Sequence, residues 1–178
     1  MESRLIIVDG YNLILRTPRL KPGGRRSLRD SRDMLVNMLS WMVGSDDARF
    51  VVVFDGAEMS GRDEPSGRVQ IVYSRPPEKA DDVIRKIVEK RVGGYESVTV
   101  VTADIDVARH ARAMGADISL ADLFLASALG DIGREGAEEG EEAADKPVSL
   151  SKKELEEWAE IFTRRARPAP DSGAEPEN

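Results

Sequence analysis

The sequence predicts an α/β fold: a three-layer sandwich around a central, mainly parallel sheet, with one further helix at its C-terminal end. Three observations predict it. Short apolar runs rich in β-branched residues recur at Leu5-Ile6-Ile7-Val8, Phe50-Val51-Val52-Val53-Phe54 and Val98-Thr99-Val100-Val101-Thr102. Stretches of helical period separate them. Each run is followed within two residues by an aspartate: Asp9, Asp55 and Asp104. Runs without polar alternation belong to strands covered on both faces. Strands alternating with helices imply right-handed crossovers and parallel pairing.

Taken in order, Leu5–Val8 is the first strand and stops at Asp9-Gly10. From Leu28, the positions Met34, Leu35, Met38, Leu39 and Met42 recur at three- and four-residue steps, the signature of an amphipathic helix. Phe50–Phe54 follows as a buried strand, and Val69–Tyr73 alternates enough to be a less buried one. Ala80, Val83, Ile84, Ile87 and Val88 mark a second helix that ends near Gly93-Gly94. After Val98–Thr102 come a helix over Ile105–Met114 stopped by Gly115, a brief strand over Ala116–Ser119, and a helix over Leu120–Leu129. Residues 131–148 read as an acidic linker. Ser151 and Glu154 then form a capping box, and Leu155, Trp158, Ala159 and Phe162 give the helix at 149–166 an apolar face to dock on the body. Residues 167–178 read as a disordered tail, which leaves 1–130 as the globular domain.

The net charge of −7 misleads about partners. Residues 131–178 hold 14 acids and 7 bases, so residues 1–130 hold 19 of each sign. The body is neutral, and an anionic partner is decided by local patches. The chain has no cysteine, which excludes disulfides, zinc–thiolate sites and thiol nucleophiles. No run approaches the roughly 18 apolar residues of a membrane span, and no signal peptide is evident. The expectation is a cytoplasmic protein with no membrane partner.

Chemistry enters at the strand ends. In open α/β sheets the carboxyl ends of the strands form the ligand crevice. Asp9, Asp55 and Asp104 placed there would repel one another unless a cation lay between them, and all-oxygen sites favour hard ions such as Mg2+ or Mn2+. Such ions suit phosphodiester hydrolysis, activating a water and stabilising charge on the phosphate and leaving oxygen. Asp81 and Asp82 open the helix that follows Pro76-Pro77-Glu78-Lys79 and extend the set, although a helix start tolerates acids through its dipole alone. Asp-Gly is also a common turn pair, so Asp9 and Asp55 have a bland reading as turn residues. Asp106 reads as a helix cap. Asn12, in Asp9-Gly10-Tyr11-Asn12, either faces the crevice to hold a metal-bound water or a scissile phosphate, or makes an Asx turn or cap.

Ile7-Val8-Asp9-Gly10-Tyr11-Asn12-Leu13-Ile14 resembles the opening signature of NYN domains, in particular the bacterial YacP-like group. Val53-Phe54-Asp55, Lys79-Ala80-Asp81-Asp82-Val83-Ile84 and Val100-Val101-Thr102-Ala103-Asp104 match in order, and Arg164-Arg165 is similar to that group's C-terminal end. The resemblance implies a PIN-like fold and a metal-dependent endoribonuclease that cleaves messenger RNA in association with the ribosome. It implies Asp9, Asp81 and Asp104 as the core metal carboxylates with Asn12 beside them as catalytic, and Asp82 and Asp55 as further acids for Mg2+ or Mn2+. The acidic segment at 131–147 departs from the family pattern.

RNA needs positive charge near those acids. Arg16, Arg19, Lys21, Arg25, Arg26, Arg29 and Arg32 face only Asp30 as an acid in that span, and Pro18, Pro22 and Gly23-Gly24 make its first half a loop. Following the Asp9–Asn12 turn, this loop should flank the crevice and neutralise phosphates, with Arg75 and Lys79 adding to the patch. A solvated loop and helix face is the bland alternative. Tyr11 and Tyr73 are candidates to stack on bases, although buried packing suits Tyr11 better.

Other nucleotide and phosphate chemistries are excluded. A haloacid-dehalogenase-type phosphatase needs an acid where Tyr11 stands, a dinucleotide site needs a glycine-rich first turn, and a P-loop needs Gly-Lys-Ser/Thr. A single histidine, His110, excludes two-histidine ribonucleases. A non-catalytic RNA- or ribosome-binding module and a structure-specific DNA nuclease remain as alternatives.

Overall fold

The structure, a computed structural model, describes residues 2–42, 48–56, 67–121, 124 and 153. Five strands form one sheet: β1 (Glu2–Asp9), β2 (Ala48–Phe54), β3 (Val69–Tyr73), β4 (Tyr95–Val101) and β5 (Asp117–Ser119). Their order across the sheet is β3-β2-β1-β4-β5, and every pairing is parallel. Four helices lie among them: α1 (Gly10–Arg16), α2 (Leu28–Met42), α3 (Ala80–Arg91) and α4 (Ile105–Ala113).

The uninterrupted apolar runs are buried on both sides, as expected. Val8, Phe50, Val52 and Phe54 pack with Leu13, Ile14, Leu35 and Leu39 of α1 and α2 on one face. Ile7, Val51, Val53, Val98 and Val100 pack with Ile84, Val88, Val107 and Ala111 of α3 and α4 on the other. Strand residues alternate between the two clusters because successive side chains point to opposite faces. The result is three layers. The alternating run Val69–Tyr73 is the edge strand β3, partly buried along most of its length.

Local chemistry sets the helix ends. At α2, the Ser27 hydroxyl donates to Asp30 Oδ2 at 2.7 Å while Asp30 N–H donates to Ser27 Oγ at 3.1 Å, a reciprocal cap. Helices α3 and α4 run into Gly93 and Gly115, whose φ values of 94° and 98° belong to the left-handed region that glycine enters freely.

One helix is not foreseen. Gly10–Arg16 forms α1 at once after β1, where the sequence reading has only a turn. Its first residue is also its tightest: a Cβ on Gly10 would lie 2.4 Å from Phe54 Cε1. Of the expected helix at 120–129, Leu120, Ala121 and Phe124 are described, and Ala121 and Phe124 join the core on the α1/α2 side. The linker 131–148, the docking of the helix 149–166 and the tail 167–178 lie outside the described residues. Among the described residues, no helix is long and apolar enough to cross a membrane.

Candidate active site

The sheet order places a topological switch between β1 and β4, where successive crossovers turn to opposite sides of the sheet. Crevices open there, at the carboxyl ends of the strands. Asp9 ends β1, and Thr102-Ala103-Asp104 continues directly from β4, its register neighbour.

Four hydrogen bonds order this corner, two of them crossing between the strand ends. Thr102 Oγ1 donates to Asp9 Oδ2 at 3.4 Å and accepts from Asp104 N–H at 3.0 Å. Asn12 N–H donates to Asp9 Oδ1 at 3.4 Å, and Ala103 N–H donates to Asn12 Oδ1 at 3.0 Å. Asn12 therefore braces the first strand end against the second through its carbonyl oxygen, and its amide nitrogen is the part left to meet a ligand.

Asp9 is 7% exposed, an unusual setting for a carboxylate. Burial pushes its carboxyl up from 3.8 to about 6; the Asn12 N–H and the Thr102 hydroxyl oppose the rise, whereas the negative charges of Asp81 and Asp104 add to it. Asp81, in the first turn of α3, is also raised, first by partial burial and then by Asp104, with Asp82 and Asp55 adding and Arg85 opposing. Asp9, Asp81 and Asp104, far apart in sequence, thus share one electrostatic neighbourhood. They do not close into a ready cage: among the described residues, no three acidic or histidine side chains gather tightly enough to hold a metal ion.

The remaining acids divide by what already occupies them. Asp104 Oδ1 caps α4, accepting from Asp106 N–H at 2.9 Å and Val107 N–H at 3.0 Å. This corrects the expectation that Asp106 is the cap; Asp106 lies exposed in the first turn, 3.8 Å from Arg109. Asp82 Oδ2 accepts from Lys79 N–H at 3.1 Å and so starts α3. Asp55 is exposed, and its Oδ1 accepts from the fully buried Ser74 hydroxyl at 2.6 Å. Ser74 in turn accepts from Gly56 N–H at 3.1 Å. Thr102 and Ser74 are positioning residues that sequence reasoning missed, since a lone hydroxyl at a strand end has no distinctive signature.

The basic segment is separated from Asp9 by α1, so it does not continue directly from the first turn. It reaches the crevice by another route. Arg32, on the second turn of α2, packs against Phe54 and Tyr73, the last residues of β2 and β3. The start of α2, and the loop before it, consequently stand at the carboxyl edge of the sheet. The loop is pinned by paired backbone bonds between Gly23 and Arg26 and by Arg26 donating to the Arg19 carbonyl. A cavity of about 560 Å³ opens there, lined by Lys21, Gly23, Arg25, Arg26 and Asp30. Arg19 and Arg29 are exposed and Arg16 is half-buried; Arg75, two residues beyond β3, and Lys79, at the start of α3, are exposed. Tyr11 packs 5.0 Å from Phe54, which in turn stacks on Tyr73 at 5.8 Å. His110 stands apart, with Nε2 3.2 Å from Glu89 Oε1 between α4 and α3.

The model of the YacP-like NYN domain matches residues 6–163. The chain belongs to the YacP-like NYN domain family. The uncharacterized protein YacP of Bacillus subtilis (strain 168) is 28% identical over 102 residues, 56% of this chain and 60% of that protein. The chain thus spans three-fifths of the length of that curated relative. The crystal structure of Rae1 (YacP) from Bacillus subtilis superposes with a TM-score of 0.63 at 26% identity, covering 74% of this chain and 76% of that one. A mutant form of the same protein gives 0.63 at 25% identity, over 74% and 79%. Together with the five-stranded parallel sheet, these matches make the YacP-like fold here PIN-like, a fold of the nuclease type.

Proposed function

We propose that the chain is a metal-dependent endoribonuclease, with messenger RNA on the ribosome as its substrate. The observation that supports this reading is the gathering of Asp9, Asp81 and Asp104 at the topological switch, where the acids repel one another and Arg85, beside Asp81, offsets that repulsion only in part.

In donor type, though not in spacing, the set suits a divalent ion. Asp9, Asp81 and Asp104 offer oxygen only, as Mg2+ and Mn2+ prefer, and Asp9 is buried enough that a nearby cation would be worth more to it than in water. Asp55 and Asp82 stand at the rim as secondary donors. When bound, the ion would activate a water and stabilise charge on the phosphate. The chain's own residues do the rest. Thr102 and Asn12 hold the Asp9 carboxylate in place, Asp104 is fixed by its cap to α4, and the amide nitrogen of Asn12 is available to a phosphate oxygen. Arg16, Arg19, Lys21, Arg25, Arg26 and Arg29, with Arg75 beyond β3 and Lys79 at the start of α3, provide positive charge along which a strand's phosphates can run.

Cleavage of RNA by the purified chain with Mg2+, Mn2+ or chelator tests the reading. The expected result is ion-dependent endonucleolytic products that Asp9→Asn abolishes, with RNA binding retained. Chelator-resistant cleavage, or equal activity in the variant, would defeat it. Loose spacing of the acids favours one rival, a non-catalytic RNA- or ribosome-binding module. An inert chain that stays inert on translating ribosomes, yet binds them, would establish that rival. Preferential cutting of branched DNA would establish a DNA nuclease instead.

A further inference from the structure

Arg32 is the outlier among the cations. Its neighbours in the basic segment are mostly exposed, whereas Arg32 is 9% exposed. Its guanidinium carbon lies 5.9 Å from the Phe54 ring centroid and 6.0 Å from that of Tyr73, and its Nε is buried with no hydrogen-bond partner. Among the described residues, no carboxylate stands within ion-pair distance of it. Phe54 and Tyr73 offer cation–π attraction, which offsets only part of the desolvation of a guanidinium. An arginine so placed, with no anion beside it among the described residues, is costly to the fold, and a methionine would fill about the same volume.

Position explains what the fold alone does not. Phe54 immediately precedes Asp55 and covers Gly10, the residue after Asp9. The Tyr11–Phe54–Tyr73 aromatic row therefore floors the carboxyl edge of β1, β2 and β3, and Arg32 sits on that floor. The acids of the crevice repel any phosphate that is not neutralised. A preformed fork of donors beside them, stiffened by flanking rings, is the chemistry that receives an anion bidentately.

We propose that Arg32, held on the Phe54–Tyr73 shelf beside the carboxylate crevice, binds a backbone phosphate of the RNA strand. This rests on the reading of the chain as an RNA-binding nuclease, and adds a buried phosphate site to the exposed loop. Arg32 has no part in breaking the bond; it sets where the strand lies.

The test is equilibrium binding of a short labelled single-stranded RNA in chelator, measured by anisotropy across a salt series for the wild type, Arg32→Met and Arg32→Lys. Arg32→Met should weaken binding about tenfold at moderate salt and reduce the slope of log K against log salt by about 0.7, the single-strand value for one phosphate contact. Its melting temperature should equal or exceed that of the wild type, since an apolar replacement removes an uncompensated charge. Arg32→Lys should keep the slope and lose several-fold in affinity, because it retains the charge without the fork; this variant carries the test if the methionine form fails to fold. Unchanged affinity and slope in a folded Arg32→Met, or full affinity in Arg32→Lys with Arg32→Met unfolded, would overturn the role of Arg32 alone. A wild-type chain that binds no RNA would overturn the nuclease reading with it.

Discussion

Replacing Asp9 by asparagine removes a charge that the folded chain holds against burial and against two neighbouring acids. The unfolded chain releases the Asp9 proton near 3.8 and the native chain near 6, so between these values the native state binds more protons. The stability supplied by the neutral acid is complete below pH 3.8 and is lost as pH rises through 6. At 1.36 kcal/mol for each pH unit, ionised Asp9 destabilises the fold at pH 7.5 by about 3 kcal/mol. Asparagine keeps a carbonyl oxygen for the Asn12 N–H and fits the same space, while the Thr102 hydroxyl must turn away from an amide nitrogen. The net gain expected for Asp9→Asn at pH 7.5 in chelator is therefore about 1–3 kcal/mol. Urea unfolding of both proteins at half-unit steps from pH 5 to 8 measures it. The difference between them should widen as pH climbs to about 7 and then level off. Adding Mg2+ should stabilise the wild type and leave the variant where it was. A variant no more stable than the wild type at pH 7.5, or a difference that does not change with pH, would refute the account of a strained carboxylate. Stability and function then trade against each other at one atom pair, a common circumstance at active sites.

Two further substitutions separate architecture from chemistry. Gly10→Ala should cost about 1–3 kcal/mol in urea unfolding, because the added methyl meets the Phe54 ring at 2.4 Å; a neutral result would mean that β2 can shift away from α1. Asp104→Asn should retain the α4 cap and lose RNA cleavage, whereas Asp104→Ala should lose both, with about 1 kcal/mol less stability; equal unfolding midpoints for the pair would deny the capping role.

The sheet was legible because its strands announce themselves. Val8, Val52 and Val101 face one helical layer and Ile7, Val53 and Val100 the other, and two-sided burial leaves no room for polar alternation. Helix α1 was not legible for a local reason. Its seven residues hold only Leu13, Ile14 and Leu15 as an apolar turn, too short to establish a period, and glycine at its start reads as a turn. The strand-end acids were readable as candidates, but which of them caps a helix was not. Asp104 and Asp106 are both plausible caps by composition, and only the backbone path after β4 assigns the cap to Asp104. Arg32 was hidden in a run of surface cations, since burial of one charge among many depends on where α2 lands against β2 and β3. The buried hydroxyls of Thr102 and Ser74 were hidden in the same way.

Strand order also governs when the crevice can exist. Strand β4 slots beside β1 although Ser97 and its register partner Arg4 are separated by most of the domain. A chain truncated before β4 would present β1 with a raw edge and would leave Asp9 without Thr102, Ala103 or Asp104. During synthesis, then, the centre comes together only after the last central strand has emerged. Whatever chemistry the centre performs therefore has to wait until the domain is nearly whole.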